Sequence, residues 1–451
     1  MIKELSYEET GLKLKKFKYL LLLARPLFFE LLLQLIVGYS DQIMMRKYDT
    51  AVTAITNSNS ILNIVINVFT VFSSAAIILI TQYKGSKNEE NENKVYSCGF
   101  YFNTIISIII SLCLVLFSSF LLKWIKCPKE AYDEALKYLL ITGGFIFLPL
   151  ISITFSAFLK ANSLMKESMT INVIVNLINI IGNFILIPRY KIVGVAIAST
   201  TSRFIGLILM IIIYKIKVGI KFRFKEFLYS SNMVIKYVKI GVPISSESFS
   251  YQTSQLIILI VINTYGTDIV NIKTYASMFA VVTYMITEAV SMAMQVVIGE
   301  LMGRGEYVET KKKVLQTLML GVIASFIFAL FFAITAKIDF RLFEIKDKDL
   351  LKIAQRVMII DLVLELGRAF NIIFVRTLQT SGDILFPTML SIIFCWVVAV
   401  GGSFLLGSKK TFGLGLEGVW IAMALDECIR AIIFSFRFKS GKWIKEKGGI
   451  I

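Results

Sequence analysis

Apolar stretches of about 20 residues recur along the chain, each closed by a short polar break. A helix needs a run of that length to cross a hydrocarbon core of about 30 Å, so the pattern predicts a protein that crosses a membrane many times. Spans are expected near 19–45, 53–80, 95–122, 135–159, 169–188, 192–215, 240–264, 274–299, 314–336, 352–379, 386–407 and 415–437. The longest polar stretch between them, KIKVGIKFRFKEFLYSSNMVIKYVK, falls in the middle and reads as a linker. The expected organisation is a lead-in over 1–18, an N-lobe over 19–215, a linker over 216–239, a C-lobe over 240–437 and a tail over 438–451.

The two halves repeat. Pro26-x-x-x-Glu30 returns as Pro243-x-x-x-Glu247, 217 positions later. Gln82-x-x-Gly85 returns as Glu300-x-x-Gly303, and GVAIA at Gly194 returns as GVWIA at Gly418. Six spans is an even number, so both halves enter the membrane in the same sense. Their symmetry axis should then run along the membrane normal. The expected fold class is an all-α integral membrane protein. It has about twelve transmembrane helices in two six-helix bundles related by a pseudo-twofold axis. Two similar bundles around a central cavity form a transporter architecture.

Polar residues interrupt the apolar pattern at specific places. A carboxylate near the centre of a spanning helix costs roughly 2.5–3.5 kcal/mol, so each acid needs a reason. Asp41 follows Gly38 by three residues and Gln34 by seven, which puts all three on one helical face. That stripe suggests a wet cavity, although Arg46 and Lys47 close by would also suit an acid that reaches the interface. Glu30 could be structural, neutralising Arg25 or a cation on a neighbouring helix. Glu247 shares a face with Tyr251, Ser254 and Gln255. Asp361, Glu365 and Arg368 are spaced for an ion pair within one helix, as are Asp426, Glu427 and Arg430. The first set is either structural or a pair that opens when protons or substrate arrive; the second reads as a clamp between helices.

Composition narrows the function. The chain of 451 residues is 56% hydrophobic and 18% charged, with a net charge of +17. Lys and Arg gather in the linker and in the loops on its side of the membrane. The positive-inside rule accounts for the basic total and places both termini and the linker in the cytoplasm. Nucleic acid is not an expected partner. The five cysteines are scattered and histidine is absent, so neither a disulfide framework nor a metal site is indicated. The first residues lack a small-residue cleavage site and read as a lead-in, not a cleaved signal. With no phosphate loop and no soluble domain, the chain is not expected to be an enzyme, and no cofactor is expected.

The stretches PLFFELLLQLIVGYSDQIMM, TQYKG, VNLINIIGNFILI, GVPISSESFSYQTSQ, ELGRAFN, TLQTSGDILFP and GVWIAMALDECIRAIIFSFRFKSGKW carry a resemblance. In order and spacing they resemble the multidrug and toxic compound extrusion family of cation-coupled antiporters, over nearly the whole chain. The resemblance implies twelve helices in two bundles arranged as a V. It implies export of amphiphilic, often cationic small molecules in exchange for protons or sodium. The expected setting is the cell membrane, with the lipid bilayer as a partner and the chain as a monomer.

The resemblance also implies sites. Asp41 matches the family's first-helix aspartate, Asn179 and Asn183 match a polar pair beside it, and Ser199 or Thr200 falls near a family hydroxyl. In the second half, a seventh-helix acid found in some relatives is replaced by Tyr251, and a tenth-helix aspartate aligns with Arg368. This chain instead has Glu247 and Glu365, each about a turn earlier. The expected coupling residues are Asp41, Glu247 and Glu365. The expected substrate cavity holds Gln34, Asn179, Asn183, Ser199, Thr200, Tyr251, Gln255, Arg368 and Asn371. A flippase for lipid-linked sugars or peptidoglycan precursors is the rival. It would need cavity cations for pyrophosphate, and only Arg203 and Arg368 look embedded.

Overall fold

The computed structural model describes residues 7–38, 44–45, 49–125, 127–343, 345–408 and 410–444. Backbone donors and acceptors find no water inside a bilayer, so a spanning chain must satisfy them within each segment, as a helix does. The described elements are α1 (Tyr7–Leu14), α2 (Phe17–Gly38), α3 (Asp49–Gly85), α4 (Glu89–Trp124), α5 (Lys129–Gly144), α6 (Phe147–Ala161), α7 (Met165–Lys217), α8 (Phe224–Tyr229), α9 (Ser231–Asn263), α10 (Thr267–Gly303), α11 (Tyr307–Leu342), α12 (Lys348–Thr380), α13 (Leu385–Phe394) and α14 (Gly415–Lys439). Two π-helical turns, Cys395–Val400 and Ser403–Gly407, carry α13 onward.

Among the described residues, six helices are long and apolar enough to cross a membrane, and the α5–α6 pair, bent by 43°, makes a seventh. The 53-residue α7 is broken at Lys191, with φ 49° and ψ −126°, between the stretches 169–188 and 192–215 expected as separate spans. The remaining spans coincide with α2, α9, α12 and α14, which carry most of the acids expected inside the membrane. Each of the twelve expected spans overlaps a helix among the described residues, and positions 39–43 of the first lie outside them.

The chain forms two compact units. One comprises Phe29–Ser245, and the other comprises Ser246–Ile451 together with Met1–Phe28. Both boundaries fall inside helices, two residues beyond the repeated prolines.

In the unit of Phe29–Ser245, Ala54, Ile55 and Leu62 of α3 pack with Leu114 of α4, Tyr138 and Leu139 of α5, Leu150 of α6 and Val195 of α7. Phe72 of α3 stacks near Phe102 and meets the edge of Tyr237 at 5.5 Å between centroids. Gly241 keeps the start of α9 against that ring, since a Cβ there would lie 2.5 Å from Phe72. The linker also belongs to this unit. Phe222 stacks on Phe100 at 4.3 Å and on Tyr214 at 5.2 Å. Ser97 donates to Glu226 at 2.6 Å and accepts from the Arg223 amide at 3.1 Å.

In the other unit, Val261, Ile262 and Ala276 pack with Phe340, Val357, Val419 and Trp420. Helix α1 docks here as well: Lys15 pairs with Glu306 at 2.7 Å, and Gly11 lies close against Arg304.

The duplication seen in the sequence reappears as matched close approaches. A Cβ on Gly194 would lie 2.5 Å from the Leu186 carbonyl oxygen, and one on Gly418 would lie 2.6 Å from that of Leu406. One on Gly182 would lie 3.0 Å from Ala198 Cβ, and one on Gly402 would lie 3.0 Å from Ala422 Cβ. Each half thus closes its last hairpin through two glycines that let backbones touch. Gly194→Ala and Gly418→Ala should each destabilise the protein by about 1–3 kcal/mol, because backbone atoms must move to admit the methyl group. Gly144→Ala, whose Cβ would find its nearest atom at an ordinary 3.4 Å, should be nearly silent. Thermal unfolding in detergent would show this, and equal losses at all three positions would refute it.

Candidate functional site

Helix α12 places Asp361, Glu365 and Arg368 on successive turns, with Gly367 facing α14. A Cβ on Gly367 would sit 3.0 Å from the Glu427 and Cys428 backbone, so the glycine brings the two helices into contact. That approach links two short charge clusters into one chain. Arg368 pairs with Glu365, and its Nε donates to Glu427 Oε1 at 3.4 Å. Glu427 Oε2 lies 3.1 Å from Arg430, which forks onto Asp426 at 2.5 and 3.0 Å. Asn371 donates to the Glu427 carboxylate at 2.6 Å and to its carbonyl at 2.8 Å. The Arg368 guanidinium also lies over the Tyr284 ring, 5.2 Å from its centre.

The charges in this cluster do not balance. Asp361, Glu365, Asp426 and Glu427 are at most 5% exposed, and among the described residues Arg368 and Arg430 are the cations that pair with this group. Trp420 Nε1 donates to Asp361 Oδ1 at 3.1 Å. Asp361 Oδ2, Glu365 Oε2 and Asn371 Oδ1 are buried without a hydrogen-bond partner. A buried anion without a partner is costly unless a proton or cation joins it. The arrangement can therefore take up positive charge and release it. Among the described residues, no group of three or more His, Cys, Asp or Glu is placed to hold a metal ion.

Glu247 sits apart from the Arg368–Glu365 pair. Gln379 Nε2 donates to its Oε2 at 2.9 Å, and Thr388 Oγ1 donates to the same oxygen at 3.5 Å. Along α9, Tyr251 is exposed and Gln255 half-buried, whereas Ser254 is buried and accepts from Cys395.

The first half is built differently. Asn179 Nδ2 donates to Ser199 Oγ at 3.0 Å, and Asn183 donates to Asn179 at 3.4 Å. Thr200 instead bonds back to the Ala196 carbonyl, so Ser199 is the hydroxyl that joins the amide pair. Gln34 is exposed. Asp41 lies outside the described residues. Glu30 is paired, and with neither Arg25 nor its own helix: Lys160 Nζ on α6 stands 3.1 Å away, and Asn172 donates at 2.9 Å.

Two pairings were not foreseen from the sequence. Glu427 is the hub between both arginines, a role that helical spacing alone does not reveal. Glu288 on α10 pairs with Arg376 on α12 at 2.6 Å. The signal for that pair was one acid and one base, each isolated in an otherwise apolar run.

Residues 26–185 and 243–405 match the profile of the MatE family, each segment opening on the proline of the repeated motif. The chain belongs to the MatE family. This MatE chain is therefore a multi-pass membrane transporter of a multidrug efflux family. It is 29% identical to the "Uncharacterized transporter YisQ" of Bacillus subtilis over 99% of both chains. It is 23% identical to a "Probable multidrug resistance protein NorM" of Bacillus cereus, covering 95% of this chain and 97% of the relative. A crystal structure described as MATE in the bent conformation superposes with a TM-score of 0.87 at 17% identity, covering 95% and 97% of the two chains. That last likeness is one of fold.

Proposed function

We infer that this MatE chain is a secondary active antiporter. It exports lipophilic, mostly cationic compounds in exchange for protons or sodium, by alternating access. It works in the cell membrane with both termini in the cytoplasm. The observation that carries the reading is the excess of buried carboxylates over guanidiniums on α12 and α14, with bare oxygens on Asp361 and Glu365. A fixed ion-pair scaffold needs no such surplus, whereas a coupling device needs a group whose charge can be cancelled and restored.

Asp41, Glu247 and Glu365 are the coupling acids in this reading. Gln34, Asn179, Asn183, Ser199, Thr200, Tyr251, Gln255, Arg368 and Asn371 meet the cargo. Competition supplies the coupling: loading the acids with cations favours drug release, and unloading them favours capture. Each charge that crosses about 100 mV carries roughly 2.3 kcal/mol. At about 1.4 kcal/mol per tenfold, that sustains nearly a fiftyfold gradient of a neutral cargo.

The test uses purified protein in liposomes loaded with ethidium or a quaternary ammonium dye. A pH gradient is imposed without sodium, then a sodium gradient without a pH gradient. One of the two should drive efflux, and Asp41→Asn should abolish it while the protein still inserts. Glu247→Gln and Glu365→Gln should impair it less. Movement of lipid-linked sugars and of none of the dyes would replace this reading with a flippase.

A further inference from the structure

Glu30 and Glu247 occupy the same place in the repeat, and the positions around them correspond as well. Lys160 stands just before the turn after α6, where Ser163 has φ 61°; Gln379, 219 positions later, stands just before the turn after α12, where Gly382 has φ 95°. Asn172 on α7 and Ser391 on α13 are separated by the same interval. The sequence interval and the shared turn geometry mark these as equivalent sites, each described within its own unit.

Their contents differ in one respect. Glu30 is 6% exposed and faces the Lys160 ammonium at 3.1 Å, with Asn172 as a second donor. Glu247 is half-buried, and the donors Gln379 at 2.9 Å and Thr388 at 3.5 Å are both neutral. Among the facing groups, α12 brings Gln379 and α13 brings Thr388 and Ser391. From α14, Arg430 acts on Glu247 by charge, but it is already held by Asp426 and Glu427. Where one half carries its own cation, the other has an amide.

We propose that Glu247, with Gln379 and Thr388, is a proton-binding site in which a proton takes the place that Lys160 fills beside Glu30. Binding converts the carboxylate to the neutral acid. Gln379 goes on donating to the carboxyl group, and the site reopens when the proton leaves to water. A divalent metal ion fits poorly, because such ions demand about six oxygen ligands. No second acid is hydrogen-bonded within this group. This proposal rests on the antiport reading for its purpose, but its test reads titration and not transport.

Infrared difference spectra of the purified full chain in lipid, recorded across a pH series, decide it. Subtracting Glu247→Gln from the unsubstituted protein should leave a protonated-carboxyl band that vanishes as pH rises. Gln379→Lys should abolish that band while Glu247 stays in place. Lys160→Gln should create a new titrating band, which the added change Glu30→Gln removes. That arm keeps the proposal open to refutation even where Gln379→Lys does not fold. A subtraction with no titrating band overturns the proposal, as does a Lys160→Gln protein with no new one. A band that follows sodium concentration and ignores pH overturns it too. If the titration holds but no cargo moves under any gradient, the antiport reading falls and the site stands.

Discussion

Glu427→Gln should be the most damaging single change in the unit that contains α12 and α14, with a loss of about 3–5 kcal/mol in unfolding free energy. Glu427 receives Arg368, Arg430 and Asn371 together, so Glu427→Gln takes the bridging carboxylate from both buried guanidiniums at once, leaving Arg368 to Glu365 alone and Arg430 to Asp426 alone, and sets an amide N–H donor among donors. The Glu288–Arg376 pair provides a control. Its side chains are 26% and 24% exposed, and Glu288→Gln should cost only about 0–1 kcal/mol, in the range of screened pairs. Unfolding in a detergent–denaturant series would compare the two. Similar losses at both sites would mean that the hub arrangement contributes nothing beyond ordinary pairing.

Lys160→Met should be nearly as damaging in the unit of Phe29–Ser245, because it strands Glu30 in a buried site whose Oε2 already has no partner. The loss should again be about 3–5 kcal/mol, the range for a buried pair broken from one side. Adding Glu30→Gln should recover most of it, since removing both charges of a buried pair is often neutral or stabilising. Lys160→Gln should be much milder than Lys160→Met, because the other half already uses Gln379 in that position. A double variant no better than Lys160→Met alone would show that the lysine stabilises by packing its stem and not by its charge.

Much of the architecture was legible in the chain. Apolar length announced the spans, and the repeated proline and glycine motifs announced the duplication that the Gly194 and Gly418 contacts now embody. Local spacing also found Glu365 with Arg368 and Asp426 with Arg430, because neighbours on one helix face are fixed by the helical period. The sequence offered Glu30 a cation on a neighbouring helix and Glu427 a place in a clamp between helices, but the particular partners were not legible. Lys160 lies 130 positions from Glu30, and Arg368 lies 59 from Glu427. Such pairings depend on which faces the packing turns together. Ser199 and Thr200 stayed open as alternatives for a related reason: adjacent residues differ by about 100° around the helix, and periodicity could not say which face meets Asn179.

The membership of α1 and the start of α2 in the unit built from Ser246 onward has a consequence for how the chain is made. Lys15 is among the first residues synthesised, yet its partner Glu306 comes far later. At about 5–20 residues per second, tens of seconds pass before the two can meet. Phe72 likewise waits for Tyr237 and Gly241 before its face is covered. The earliest helices must therefore hold their places in the bilayer without their final neighbours. Helix α1 in particular must wait through the synthesis of the whole Phe29–Ser245 unit before its own unit can close around it.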